Sequence, residues 1–465
     1  MRFVLLSLEF DAGTFSGNGI YACSQARSLA QLGHQVLVVA GAPAGHCNGS
    51  SNGTATPAHP QQEQQHQLDQ PRVLYVELPV WGCLDTSCGW REYAAGAGST
   101  VAAEVAAFGA AAVLGVDWHS VGAYDALAAA LPPGTLPPFV YLNYRVYHRT
   151  AAGKALEVIA AREAAALARS CCSLVLSRSD AAYLRTHFPG AADNPLHVLL
   201  PALRSDMESL PPPQPSNDAA AAGAAATAAG GMDLVAGSGT AAGLEAAAWA
   251  AARCHLLCCV RVSPEKEPHR FVDVLGELQR RGSLQAAGVV PVMCGAGWGS
   301  DYGAALLLRL RQLVPQCVVH DSFLGPAEMA VLYASTLLNL HPPTYDAYGM
   351  TVVEAASQGA PSLVQQGGGV GATDLLSGEA GEVLLCDMEQ PVGQLADMVE
   401  AVLADRARLA ATGRKAMAKA RSWTERDNAA ALAGHVERAL AGQGGGGAAG
   451  VEAAHEDGSG SSKVD

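Results

Sequence analysis

A chain of 465 residues, 49% of them hydrophobic, is long enough for two or three domains with large cores. The formal net charge of -14 argues against a nucleic-acid binder or a polybasic membrane anchor. No apolar run reaches the roughly 18 residues that a membrane-crossing helix requires, so no transmembrane segment is expected.

The chain opens on Met1-Arg2 followed by FVLLSLEF. Glu9 and Asp11 interrupt this apolar run where a leader would carry its small-residue cleavage site, so 3–10 reads as the first core strand. The twelve cysteines are scattered without CxxC pairs or zinc spacing. They read as buried reduced thiols in a reducing compartment, and a cytoplasmic protein is expected.

After the first strand come the loop DAGTFSGNGIY, a helix over 22–32, a stop at Gly33 and a strand over 35–40. This β-loop-α-β unit is the building block of a doubly wound sheet. Gly13, Gly17 and Gly19 let the backbone approach a bound group, and the helix start favours an anion. The spacing is not a strict GxGxxG, and no acidic ribose-binding residue follows. Residues 44–71 are rich in Gln, His, Gly and Ser and read as a disordered insertion. Strands are predicted over 72–79 and 110–117, the second running into Asp117-Trp118-His119-Ser120. A histidine there is either a ligand-contacting group at the carboxyl end of a parallel strand or a structural one. A strand over 139–144, a helix over 155–169, a strand over 173–177 and a helix over 180–187 complete the half. Arg145 and Arg149 meet an anionic substrate or form a solvated basic surface.

Residues 205–252, mostly Pro, Ala and Gly, read as a low-complexity linker. The pattern then restarts: a strand over 254–260, the turn Arg261-Val-Ser-Pro-Glu-Lys266, and a helix over 270–280. A strand over 288–294 ends in Gly295-Ala-Gly297, a strand over 318–324 in Gly325-Pro326, and a helix follows over 327–334. The stretch 337–366 reads as a buried strand, a Pro-rich turn, a helix, a Gly-Ala-Pro stop and another strand. Asp346 stands at the mouth of that helix and Glu354 inside it, with seven residues between them. Burying an ionised carboxylate costs several kcal/mol without hydrogen-bond donors. Glu354 therefore either meets donors such as vicinal sugar hydroxyls or lies on a solvated face. Gly367-Gly368-Gly369 offers a second backbone N–H site. Residues 387–412 and 423–440 read as helical, and 441–465 as a disordered tail.

The pattern Pro342, Asp346, Tyr348-Gly349, Glu354-Ala355, Gly359-Ala360-Pro361 resembles the paired-carboxylate signature of retaining, nucleotide-sugar-dependent glycosyltransferases of family 4. The resemblance implies the GT-B fold, two Rossmann-like doubly wound domains facing a cleft. The domains expected are 1–204 and 253–422, with the last helix crossing back to the first. It implies transfer of a hexose from a UDP-, ADP- or GDP-hexose donor to an unidentified acceptor. Arg261 and Lys266 look like the family's diphosphate-binding pair, and cations there suit a leaving group that gains negative charge in the transition state. Tyr348, Gly349, Glu354 and Gly367 to Gly369 fall at the donor. Gly17, Asn18 and Gly19 face the donor diphosphate or the acceptor, and Gly295 and Gly297 line the nucleotide pocket. The Asp-Trp-His run is similar to one in starch and glycogen synthases, which implies His119 near the transferred sugar. The family usually has Glu where this chain has Asp346. No cofactor or metal ion is expected, because two cations and a helix N-terminus stand at the diphosphate. A non-catalytic nucleotide-sugar-binding protein, or a phosphorylase or epimerase on the same fold, remains open.

Overall fold

The computed structural model describes residues 1–14, 16–46, 70–189, 194–210, 249–322 and 324–444. The expected insertion, linker and tail fall largely outside these residues. Among the described residues thirteen strands form two separate sheets, each wholly parallel. The first contains β1 (Arg2–Ser7), β2 (Gln35–Pro43), β3 (Arg72–Leu78), β4 (Ala112–Val116), β5 (Phe139–Asn143), β6 (Cys172–Val175) and β7 (Leu196–Val198), in the order β3-β2-β1-β4-β5-β6-β7. The second contains β8 (His255–Cys259), β9 (Val290–Cys294), β10 (Val318–His320), β11 (Thr336–Leu340), β12 (Ser362–Gln365) and β13 (Leu384–Cys386), in the order β10-β9-β8-β11-β12-β13. Strands buried on both faces are continuous apolar runs, as parallel sheets covered by helices require. Both domains are therefore Rossmann-like, and the GT-B expectation holds.

In each sheet the strand order reverses once, between β1 and β4 and between β8 and β11. A crevice opens beyond the carboxyl ends of the strands at such a point, and ligands bind there. The segments that follow β1, β4, β8 and β11 carry Asn18, His119, Lys266 and Asp346 respectively, the first two at the start of a helix.

Several local expectations are corrected. Strand β1 stops at Ser7, and the first helix spans Gly17–Gln31, so Gly17, Asn18 and Gly19 form its first turn rather than a loop. The Ser16 side chain accepts from the Asn18 N–H and starts the helix early. The helical stretch expected over 387–412 is two helices, Val392–Ala404 and Arg406–Ala420, with the Asp405 carboxylate capping the second by accepting from the Arg408 N–H at 2.9 Å. Helices at Trp90–Gly96, Ala102–Phe108, His119–Ala130 and Asp301–Leu313 were not anticipated.

The last helix, Glu425–Gly444, lies against Gly17–Gln31. Asn428 Nδ2 donates to Tyr21 Oη at 2.9 Å, and Gln25 Nε2 donates to Asn428 Oδ1 at 3.0 Å. Tyr144 donates to Gln25, so the chain end, the first helix and the strand β5 exit share one buried polar network. No helix among the described residues is long and apolar enough to cross a membrane. The eleven described cysteines are free.

Candidate active site

Strand β8 feeds the turn that carries Arg261 and Lys266. The Arg261 side chain is exposed and makes no ion pair or hydrogen bond among the described residues. Lys266 points inward, its Nζ 2.8 Å from Asp346 Oδ2. Glu267 follows in a left-handed backbone conformation with φ of +48°. Its Oε2 accepts from the Thr344 N–H at 2.6 Å and from Thr344 Oγ1 at 2.8 Å, while Oε1 accepts from Arg270. Two consecutive residues of the β8 turn thus grip the β11 turn on either side of Tyr345. Gly295 and Gly297 have a packing reason of their own. A Cβ on Gly295 would lie 1.9 Å from the Val260 carbonyl oxygen, and one on Gly297 would lie 2.5 Å from that of Val262.

Asp346 is almost enclosed, with 12% of its side chain exposed. Burial pushes its carboxyl up, but Lys266 and His341 pull it down and prevail, holding it well below the usual carboxylate range. His341 Nε2 lies 3.2 Å from Asp346 Oδ2, yet neither ring nitrogen makes a directed hydrogen bond. The Asp346 N–H donates to the Gly369 carbonyl and the Gly371 N–H donates to the Asp346 carbonyl, both at 3.0 Å. The glycine run therefore lies alongside the acidic turn. A Cβ on Gly369 would meet the Thr344 carbonyl oxygen at 2.2 Å, whereas Gly367 and Gly368 border open space. Gly349, with φ of +88°, opens the helix Met350–Ser357 without a side-chain cap.

Tyr348, expected at the donor, is buried, and its hydroxyl donates to the Pro201 carbonyl at 2.7 Å. That bond commits its hydroxyl to joining the second domain to the end of the first. Glu354 is also buried, which removes the solvated-face alternative. Its Oε1 is 3.5 Å from Arg204 Nη1, and its Oε2 accepts from Tyr333 Oη at 3.4 Å. Burial raises its carboxyl while Arg204 opposes the rise. Both contacts are long, so the carboxylate retains capacity for shorter donors. Arg204 also lines a polar cleft of about 320 Å³ with Arg27, Asp206 and Glu425.

In the first domain the first-helix N-terminus is already occupied by a carboxylate: Glu9 Oε1 accepts from the Ser16 N–H at 2.7 Å. Gly19 packs on Glu9, where a Cβ would lie 2.5 Å from its Cδ, while Gly17 is exposed. Asn18 Nδ2 donates to Asp117 Oδ2 at 2.6 Å and approaches Tyr147 Oη at 3.3 Å. Asp117 has φ of +53° and accepts from the N–H groups of Tyr144 and Arg145. Burial raises its carboxyl to about 7.

His119 opens a helix and packs on Trp118 at 4.0 Å between ring centroids, the two planes tilted by 33°. It is 2% exposed, its Nε2 donates to the Leu84 carbonyl at 3.0 Å, and burial lowers it to about 3. The ring is neutral at ordinary pH and is largely closed off by Trp118 and Tyr147. Arg149 is neither an open anion site nor a solvated surface. It donates to Asp180 Oδ1 at 2.8 Å and lies 3.9 Å from the Tyr345 ring centroid. Arg145 bonds Thr150 and lies over Tyr147.

Sequence reasoning missed Glu267, His341, Arg204 and Asp117. Glu267 and His341 adjoin residues already singled out, and a reading of each strand exit as a unit would have included them. Asp117 stands in the Asp-Trp-His run itself, and only its partners Asn18, Tyr144 and Arg145 lie beyond local view, while Arg204 carries no local signal toward Glu354.

No known protein-family profile matches this chain, and no curated protein matches it by sequence. Solved structures resemble it along nearly their whole length. Sucrose-phosphate synthase from Thermosynechococcus elongatus superposes with a TM-score of 0.67 at 15% identity, covering 95% of this chain and 99% of that one. HepE of Anabaena, in complex with UDP and glucose, gives 0.63 at 15% identity and 94% and 100% coverage. The α,α-trehalose 6-phosphate synthase of Burkholderia multivorans gives 0.59 at 11% identity and 95% and 99% coverage. At these identities the likeness establishes the fold.

Proposed function

We propose that this chain is a glycosyltransferase that moves a hexose from a nucleotide-sugar donor to an acceptor hydroxyl with retention of anomeric configuration. The observation that carries this reading is the Lys266–Asp346 pair at the β8/β11 switch point, with Arg261 unpaired on the same turn. Two cations at a strand-order reversal suit a diphosphate, and an ionised carboxylate beside them suits the hydroxyls of the sugar it carries. That HepE was solved with UDP and glucose, and with UDP-glucose, supports a uridine donor as the first to test.

In this reading Arg261 and Lys266 hold the diphosphate and stabilise the charge that grows on it as the glycosidic bond breaks. Asp346, kept ionised, fixes Lys266 and accepts from the sugar. Glu354 accepts from the ribose hydroxyls, which replace its long contacts to Arg204 and Tyr333. The backbone at Gly349, Gly367 and Gly368 donates to phosphate or sugar oxygens. Asn18, oriented by Asp117, faces the reacting end from the first domain. Buried His119 holds the Trp118 and Tyr147 wall through its ring, with no proton transfer assigned to it. No side chain acts as nucleophile, and the leaving phosphate accepts the acceptor's proton. No metal is assigned a role, and turnover should persist in EDTA.

The test is a thermal-shift screen against UDP-, ADP- and GDP-sugars, since a ligand that binds the folded state raises its melting temperature. Turnover of the stabilising donor should then give an α-linked product from an α-linked donor, read by NMR. Inversion would remove the retaining assignment, and stabilisation without turnover across acceptors would favour a binding protein. Release of sugar 1-phosphate on incubation with inorganic phosphate would favour a phosphorylase.

A further inference from the structure

Tyr345 sits between the two residues of the acidic turn that the second domain holds. Thr344 is tied to Glu267 and Asp346 to Lys266, both within that domain. Tyr345 reaches the other way. Its hydroxyl donates to Asp180 Oδ1 at 3.0 Å, and its ring is covered by Arg149 at 3.9 Å. Arg149 donates to the same Asp180 oxygen at 2.8 Å and to Ser179 Oγ at 3.0 Å. Asp180 lies in the first turn of the helix Arg178–His187, is 1% exposed, and has its own N–H bonded to Ser177 Oγ. The seat for Tyr345 is therefore rigid and belongs wholly to the first domain. Beside it the Arg178 N–H donates to Asp374 Oδ2 at 2.6 Å, a second link across the same seam.

We infer that Tyr345 is a positioning residue: it couples the approach of the two domains to the placement of Asp346 against Lys266. One peptide bond separates the residue that senses the first domain from the acidic residue that the function proposed above puts at the sugar. Separation of the domains withdraws Asp180 and Arg149 from Tyr345 and frees the middle of the turn. Only Thr344 and Asp346 then hold it, and a shift of about 1 Å in a reacting group costs roughly a hundredfold in rate. Turnover is thereby confined to the closed arrangement, where water is excluded.

The inference rests on the proposed transferase reading for its kinetic arm alone. Tyr345→Phe removes one hydroxyl and keeps the ring, and Asp180→Asn weakens the same bond from the other side. Each should lower kcat by about tenfold or more while UDP affinity by calorimetry stays within about twofold. The double variant should lose little more than Asp180→Asn alone, because both substitutions act on the Tyr345–Asp180 contact and Asp180→Asn also weakens the Arg149 pair. A second measurement needs no turnover: in the full chain, amide hydrogen exchange over 341–349 should quicken in Tyr345→Phe, with the rest of the second sheet unchanged. Unchanged exchange there, or nucleotide affinity falling in step with kcat, would overturn the coupling. Faster exchange in a protein that turns over no nucleotide-sugar would keep the coupling and sink the transferase reading instead.

Discussion

Lys266 and Asp346 come from the turns after β8 and β11, which are neighbours at the switch point of the second sheet, and their charged atoms are 2.8 Å apart. Arg261, on the same turn as Lys266, has no such partner. The two cations therefore differ in what each would lose on substitution.

Lys266→Ala and Arg261→Ala should each cut turnover by roughly a hundredfold, about 3 kcal/mol of transition-state stabilisation. Their stabilities should diverge. Lys266→Ala leaves the nearly enclosed Asp346 carboxylate with only His341 beside it, and should cost roughly 2 kcal/mol, below the figure for a fully buried pair because Lys266 keeps some exposure. Arg261→Ala should melt within about 1 °C of the parent. Near-parental turnover in either variant would remove the diphosphate assignment.

Asp346 and Glu354 should separate kinetically. Asp346→Asn is expected to lower kcat with donor affinity little changed, and Glu354→Gln to weaken donor binding most. Asp is one methylene shorter than the Glu usual at this position, and the Lys266 contact shows the shorter arm still reaching the cation. The parent should therefore be active. A sharp gain in Asp346→Glu over a nearly silent parent would instead mark the parent as a binder.

Two buried acids in the first domain set a pH dependence. Glu163 accepts from the N–H groups of Tyr147 and His148, yet burial raises it from 4.5 to about 8. Asp117 is raised from 3.8 to about 7 by the same cause. Each native carboxyl keeps a proton that the unfolded chain gives up at lower pH. The stability they contribute is full below their unfolded values and is lost as pH climbs through about 7 to 8. Asp346 runs the other way: its contribution is present above its ordinary value and fades only in strong acid. The melting temperature should fall from pH 5 to pH 8, and Glu163→Gln should flatten that fall. An unchanged slope in the variant would show that Glu163 is ionised in the folded state.

Excising most of 211–248 should leave the melting temperature within about 3 °C. The residues flanking the segment have anchors of their own: the Leu210 carbonyl accepts from Arg421, and Trp249 lies under Arg253. A collapse in stability would make the tract part of a core.

Eleven of the thirteen strands were legible in the sequence because parallel strands buried on both faces are short, unbroken apolar runs, whereas β7 and β13, three residues each at the sheet edges, are too short to show a pattern. The four unanticipated helices were not. Val121, Ala123 and Leu127 of His119–Ala130, for example, lie among alanines and glycine without a contrasting polar stripe, so the helical period is weak. At the site, the sequence pointed to Asp346, Glu354, Arg261 and Lys266 through spacing and resemblance. It did not show that Tyr348 spends its hydroxyl on Pro201, that Glu9 fills the first-helix N-terminus, or that Arg149 stacks on Tyr345. Each of these joins groups far apart along the chain, and no local pattern encodes such a pairing.

The placement of the last helix bears on how the protein is made. Tyr21, Gln25 and Tyr144 are synthesised before the second sheet, but Asn428, which completes their hydrogen bonds, follows all of its strands. Until then the first sheet carries a helix face whose polar groups and apolar flank lack their native cover. Domains fold as units in order of synthesis, and exposed surface in such intermediates promotes aggregation. Here the first domain must wait through synthesis of the second before its own outer layer closes.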